Sequence, residues 1–214
     1  MKRVGVIGSG DVGQTLAKGL KKHGYDVRIA SRKAGKLAAF STEHGIPAGE
    51  FLEVAAWADG IVLAVKGSAA EDALEAIGPD RLIGKMVIDT TNPIAGAPPE
   101  DGVLRFFTTL DQSLMEKLQA GYPHARFVKA FSCIGNALMV NPQLKGGRST
   151  MFICGNHAEA KAAASEIITK FGHDVADMGT AKAKAARAIE PLCMLWCIPG
   201  FLRNEWSHAF ALVK

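Results

Sequence analysis

Apolar positions along the chain follow two rhythms that alternate from the start. Short apolar runs at 3–7, 27–30, 60–65, 86–89 and 126–130 predict buried strands. Between them the spacing is helical: Val12, Leu16 and Leu20 fall four residues apart, and Gly24 closes a predicted helix over 12–23. Further helices are predicted over 36–44, 50–57, 69–77, 113–120 and 157–171, with short strands near Ile46 and over 151–154 and 174–176. An alanine-rich helix over 181–196 and a last short helix over 203–212 complete the pattern, and the Pro-, Gly- and Ala-rich stretch 95–101 reads as a loop. Strands alternating with helices over short connections imply a doubly wound, mainly parallel α/β sheet covered on both faces. No repeat or linker breaks it. The expected organisation is one domain over 1–178 with short C-terminal helices over 179–214 packed on the same body.

Composition narrows the class. With 214 residues, 48% hydrophobic and 21% charged, the chain is long enough for a sizeable core and unlike disordered or disulfide-stapled sequences. A net charge of +4 suits an anionic small ligand and is too mild for a nucleic-acid binder. Cys133, Cys154, Cys193 and Cys197 contain no CxxC pair, and the histidines lack metal-ligand spacing, so a reduced thiol set and no metal are expected. The apolar opening is too short for a secretory leader and is broken by Gly8 and Asp11. The stretch 191–202 carries two prolines and falls short of the roughly 20 residues a bilayer span requires. A soluble, cytoplasmic protein with no membrane partner is expected.

The chemistry begins at Gly8-Ser9-Gly10-Asp11-Val12-Gly13, a GxGxxG that follows the first predicted strand and opens the first predicted helix. In that context Gly8 serves the tight turn, Gly10 lets the backbone approach a pyrophosphate, and Gly13 allows close helix–strand packing. Free N–H groups at the helix start then face the phosphates. An NAD site would place Asp or Glu at the end of the second strand. Here that tip reads Ala30-Ser31-Arg32-Lys33, followed by Lys36, and Asp26 lies at the wrong end. A hydroxyl, a guanidinium and ammonium groups are what a 2′-phosphate requires, so NADP(H) is expected over NAD(H).

The glycine motif with Ser31-Arg32 and Lys36 resembles the coenzyme F420-dependent NADP oxidoreductases and their relatives, among them the reductase domain of the STEAP metalloreductases. The resemblance extends over most of the chain, through Asp89-Thr90-Thr91-Asn92-Pro93, Val128-Lys129-Ala130-Phe131-Ser132-Cys133-Ile134, Cys154-Gly155-Asn156 and Glu190-Pro191-Leu192. It implies that Ser9, Gly10, Asp11 and Val12 line the pyrophosphate loop and that Ser31, Arg32 and Lys36 take the 2′-phosphate. It also implies that Ala64 and Val65 flank the adenosine and ribose, and that Asn92, Ala130 and Phe131 lie near the nicotinamide. Hydride transfer between two flat redox rings requires no catalytic acid–base pair, and positioning supplies much of the catalysis. The second redox partner implied is F420, a flavin or another small acceptor, and the assembly a homodimer. Ser132-Cys133 depart from the family's usual Asn-Thr, and Lys66 from a frequent proline; both bear on the acceptor.

Two other functions share these features. One is a non-catalytic NADP(H)-binding sensor or complex component. The other is a small-molecule reductase of the pyrroline-carboxylate type, which carries a sizeable helical domain where about 38 residues follow Ala176 here. Elsewhere packing is the expected role. Cys133 reads as a small buried hydrophobe and Cys193 with Cys197 as packing residues. His208 reads as a partner-facing or hydrogen-bonded residue on an amphipathic tail helix. Glu190 reads equally as functional or as salt-bridged. Trp196, Phe201, Trp206 and Phe210 form an aromatic group that caps a cleft or buries a dimer interface.

Overall fold

The computed structural model describes residues 1–180 and 184–213. Among these residues eight strands form one sheet: β1 (Arg3–Ile7), β2 (Asp26–Ala30), β3 (Ala48–Gly49), β4 (Gly60–Leu63), β5 (Met86–Asp89), β6 (Arg126–Lys129), β7 (Thr150–Gly155) and β8 (Asp174–Asp177), in the order 3-2-1-4-5-6-7-8. Among the described residues eight α-helices accompany them: α1 (Asp11–Lys22), α2 (Ala38–His44), α3 (Phe51–Trp57), α4 (Ala70–Ile77), α5 (Leu114–Gly121), α6 (Ala158–Lys170), α7 (Ala186–Ile189) and α8 (Leu192–Arg203). The chain steps outward from β1 to β3, then returns to β4 beside β1, so strand order reverses between β1 and β4. This is a Rossmann-type doubly wound fold.

Alternation along the strands builds two cores. Val4, Val6, Val27, Ile29, Val62, Ile88 and Val128 turn to the face covered by α1 and α6. Ile7, Ile61, Leu63, Val87 and Phe127 turn to the face covered by α3, α4 and α5. Each such side chain, fully buried, contributes about 1.5–3 kcal/mol of transfer free energy. Because both faces are covered, the strands read as continuous apolar runs.

Most connections are parallel, but β7 runs antiparallel to β6 and β8 parallel to β7. Between β6 and β7 the chain forms only the short 3-10 turn Asn136–Leu138. Without a crossover helix the chain does not return to the starting end of the sheet, and the next strand runs backwards.

The C-terminal region departs from the expected elements. The helix expected over 181–196 begins outside the described residues and divides at Glu190-Pro191, where Pro191 becomes the N-cap of α8. Proline has no N–H to continue the ladder and suits a helix start. The helix expected over 203–212 is absent: α8 ends at Arg203, Asn204 caps it in the left-handed conformation, φ 56°, and the tail forms no regular element. It meets the start of β7, with Thr150 N–H donating to Phe210 O at 2.8 Å and Leu212 N–H to Thr150 Oγ1 at 2.9 Å. Strand-edge groups at Thr150 thus take the tail's backbone in place of intrahelical bonds. Among the described residues, no helix is long and apolar enough to cross a membrane.

Candidate functional site

The loops following β1, β2, β4, β5 and β6 converge on one cleft of about 1530 Å³ at the C-terminal edge of the sheet. Neighbouring strands lie about 4.8 Å apart, so from β2 to β6 the cleft runs about 19 Å along that edge. Gly8, Ser9, Gly10, Asp11 and Val12 line its centre, Ser31, Arg32 and Lys36 one end, and Ala64, Val65 and Lys66 the wall beyond β4. Asn92 lines the other end with Thr90, Thr91 and Ile134.

The three motif glycines have separate physical reasons. Gly8 has φ +135°, and a Cβ there would lie 2.1 Å from the Ala64 carbonyl oxygen. A Cβ on Gly13 would lie 2.2 Å from the Gly8 carbonyl oxygen, so Gly13 is the contact that lets α1 sit on the turn and is not part of the cleft lining. At Gly10 a Cβ would meet nothing within 4 Å. That space opens into the cleft beside the first turn of α1, whose N–H groups have no partner within the helix. The residues present therefore fit a phosphate at this turn. Gln14 braces the loop by donating from Nε2 to Ser9 O at 2.9 Å.

At the β2 end, Ser31 is buried and its Oγ accepts the Lys33 N–H at 3.4 Å, while Arg32, Lys33 and Lys36 are exposed. No acidic residue lies at this tip among the cleft-lining residues, and the nearest lining carboxylates are Asp11 and Asp72 on the helices.

Ala130 and Phe131, expected beside the nicotinamide, are not brought into the cleft lining. They are 0% and 2% exposed, and Phe131, with φ 59°, packs its ring 5.9 Å from that of Phe171 in the core. The chain instead comes back to the cleft at Ile134, Gly135 and Asn136. Ile134 closes the 128–134 segment of the resemblance, but Gly135 and Asn136 carried no sequence signal of their own, because the turn that returns them follows from the reversal of direction before β7.

Sequence reasoning also missed a buried ionic network beneath the Asn92 end. Lys129, at the end of β6, places Nζ 2.8 Å from Asp89 Oδ2 and 3.0 Å from Glu190 Oε1, with all three residues at most 1% exposed. Lys129 also donates to Thr91 O at 2.8 Å, while Thr91 N–H and Oγ1–H donate to Asp89 Oδ1 at 2.9 and 2.7 Å. Glu190 accepts the N–H groups of Leu114 and Met115 at the start of α5 at 2.9 and 3.0 Å. Burial pulls the Lys129 pKa down, but Asp89 and Glu190 outweigh it and hold the ammonium above its ordinary value. The signal was faint but present: Asp89 and Lys129 end adjacent apolar strands and are register partners, so opposite charges meet. Glu190 is thus salt-bridged. Cys133 is buried, and burial pushes its thiol up to about 11, which leaves it protonated and inert near neutral pH.

The family model for NADP oxidoreductase, coenzyme F420-dependent, matches residues 3–93. The crystal structure of a candidate F420-dependent NADP reductase from Arthrobacter sp. FB24 has a TM-score of 0.92 and 30% identity to this chain, covering 100% of both. The chain belongs to the F420-dependent NADP oxidoreductase family. A further relative, metalloreductase STEAP3 of Rattus norvegicus, is 30% identical over 204 residues, 94% of this chain; the chain spans 39% of its length. A hypothetical protein from Sinorhizobium meliloti, SMa0349, has a TM-score of 0.74 at 25% identity, covering 86% of this chain and 88% of its own. The family is one of NADP-dependent oxidoreductases. In this chain the glycine turn and the basic tip both fall inside the segment that the family model matches. Lys129 and Glu190 lie beyond it.

Proposed function

We propose that this chain binds NADP(H) across the sheet edge and passes a hydride between the nicotinamide and a small redox acceptor, with F420 or a flavin the leading candidates. The observation that carries the reading is the shared cleft: Ser31, Arg32 and Lys36 stand at one end and the open phosphate turn at Gly10 in the middle. Arg32 offers a bidentate fork and Lys36 a point charge to a 2′-phosphate. The α1 N-terminus holds the pyrophosphate, Ala64 and Val65 flank the adenosine and ribose, and Asn92 stands at the ring end. When bound, the dinucleotide supplies the hydride. The chain's part is to hold two rings at reacting distance and to exclude water, a contribution that orientation alone makes large. Ala130 and Phe131 act from beneath as packing for that end of the cleft.

The same reading takes residues 1–178 as the NADP-binding domain and 179–214 as its helical extension. Leu195, Phe201, Leu202 and Trp206, on α8 and the tail, expose 56, 44, 55 and 38% of their surface. An apolar face of this kind supports a homodimer. Four free cysteines, all buried, fit a reducing cytoplasm.

Calorimetric titration with NADPH and NADH at one salt concentration tests the reading. A preference for NADPH of about tenfold or more, about 1.4 kcal/mol, is expected. Equal affinities would overturn the 2′-phosphate assignment, and binding without oxidation of NADPH by F420, flavins or ferric chelates would favour a sensor.

A further inference from the structure

Thr91, at the cleft wall, is held through three of its own polar atoms: the carbonyl by Lys129 Nζ, and the N–H and hydroxyl by Asp89 Oδ1. Its neighbour Asn92 is held in turn, donating from Nδ2 to Ser132 O at 2.7 Å. Both residues line the end of the cleft remote from Arg32. Behind them Glu190 joins Lys129 to the start of α5 and to the junction of α7 and α8.

Stability does not account for this arrangement. One ammonium and two carboxylates have been taken out of water, and well-packed apolar residues of equal volume are often as stabilising as such a cluster. What an apolar trio cannot do is grip the Thr91 carbonyl. The network fixes a loop whose outer face is cleft wall, and it does so from the buried side, leaving that face clear.

We propose that Lys129 and Glu190 are positioning residues for the reacting ring: the ammonium clamps the Thr91–Asn92 loop, and the Glu190 carboxylate holds the ammonium on it. The proposal rests on the NADP(H) reading and deepens it, because it divides the cleft into an anchoring end at Arg32 and a ring-setting end at Asn92. Neither residue touches the dinucleotide. Loosening the clamp therefore leaves the adenosine end bound while the ring loses its place, and a displacement of an ångström at the reacting carbon slows transfer by about 100-fold.

The test compares the wild-type chain with Glu190→Gln and with the charge-paired double variant Lys129→Met, Asp89→Asn, after thermal melting confirms folding. Two probes are titrated: 2′,5′-ADP, which lacks the nicotinamide, and NADPH, whose emission reports the surroundings of its ring. Both variants are expected to bind 2′,5′-ADP within about twofold of wild type, to bind NADPH about tenfold more weakly, and to lose its emission change. Unchanged NADPH affinity and emission in Glu190→Gln, or parallel losses for both probes, would overturn the proposal. Should the double variant not fold, Glu190→Gln alone decides. If the wild-type chain fails to bind 2′,5′-ADP, the NADP(H) reading itself falls, and the proposal with it.

Discussion

Trp196 and His208 hold each other through two backbone carbonyls. The Trp196 indole N–H donates to His208 O at 2.9 Å, and His208 Nε2 lies 2.9 Å from Trp196 O, with the rings stacked at 5.0 Å. Since a carbonyl only accepts, Nε2 carries the proton. The pair fastens the tail to α8, and Trp196 in turn packs against Gly135 at the cleft, where a Cβ would lie 2.6 Å from its ring. His208→Ala is expected to cost about 1–2 kcal/mol, one hydrogen bond plus a ring contact. Hydrogen exchange should quicken over the tail, 204–213, while β1 and β4 keep their protection.

Arg32→Ala should weaken NADPH binding by about 1.5–3 kcal/mol, the worth of a charge-assisted hydrogen bond, and leave NADH nearly unchanged. Equal losses for both cofactors would remove Arg32 from the 2′-phosphate site.

The motif glycines should separate by readout. Gly10 has an extended backbone, φ −81° and ψ 179°, with open space where a Cβ would stand. Gly10→Ala should therefore keep or raise stability by up to about 1 kcal/mol while weakening dinucleotide binding. Gly13→Ala must push α1 off the Gly8 carbonyl and should destabilise the fold by about 1–3 kcal/mol, seen as a lower denaturation midpoint without ligand.

Acid should release the junction between α5 and α7. Arg187 Nε and Nη2 donate to the Glu116 carboxylate at 2.8 Å each, and this pairing, against burial and aided by Ser113, lowers the Glu116 pKa from 4.5 to about 2. A carboxylate with a depressed folded-state pKa binds fewer protons folded than unfolded. Its stabilisation is complete above pH 4.5 and is lost as pH falls towards about 2. Glu116→Gln should lower the denaturation midpoint at pH 7, and the gap to wild type should close as the pH approaches 2. A gap independent of pH would show that the ion pair is not its cause.

Residues at positions dictated by local chemistry were legible in advance. The strand-closing Gly8, the helix-opening Gly10 and the acid-free tip at Ser31-Arg32 each follow from conformational freedom or charge within a few residues, and the structure gathers them in one cleft. Phe131 illustrates the limit. Its neighbour in the family resemblance, Asn92, lines the cleft, but the backbone turns left-handed at Phe131 and carries its ring into the core. Nothing in an apolar residue's identity says which side of a turn it will take.

By itself the sequence determined the sheet, its two covered faces and the glycine turn after β1, because alternation, helical spacing and glycine act over short stretches of chain. Only the tertiary structure decided that β7 runs backwards, that the tail pairs with Thr150 instead of coiling, and that Lys129 meets Asp89 and Glu190. Those outcomes depend on which distant groups share a buried space. There an unpaired charge or N–H is costly, so partners are chosen by where the packed chain brings them.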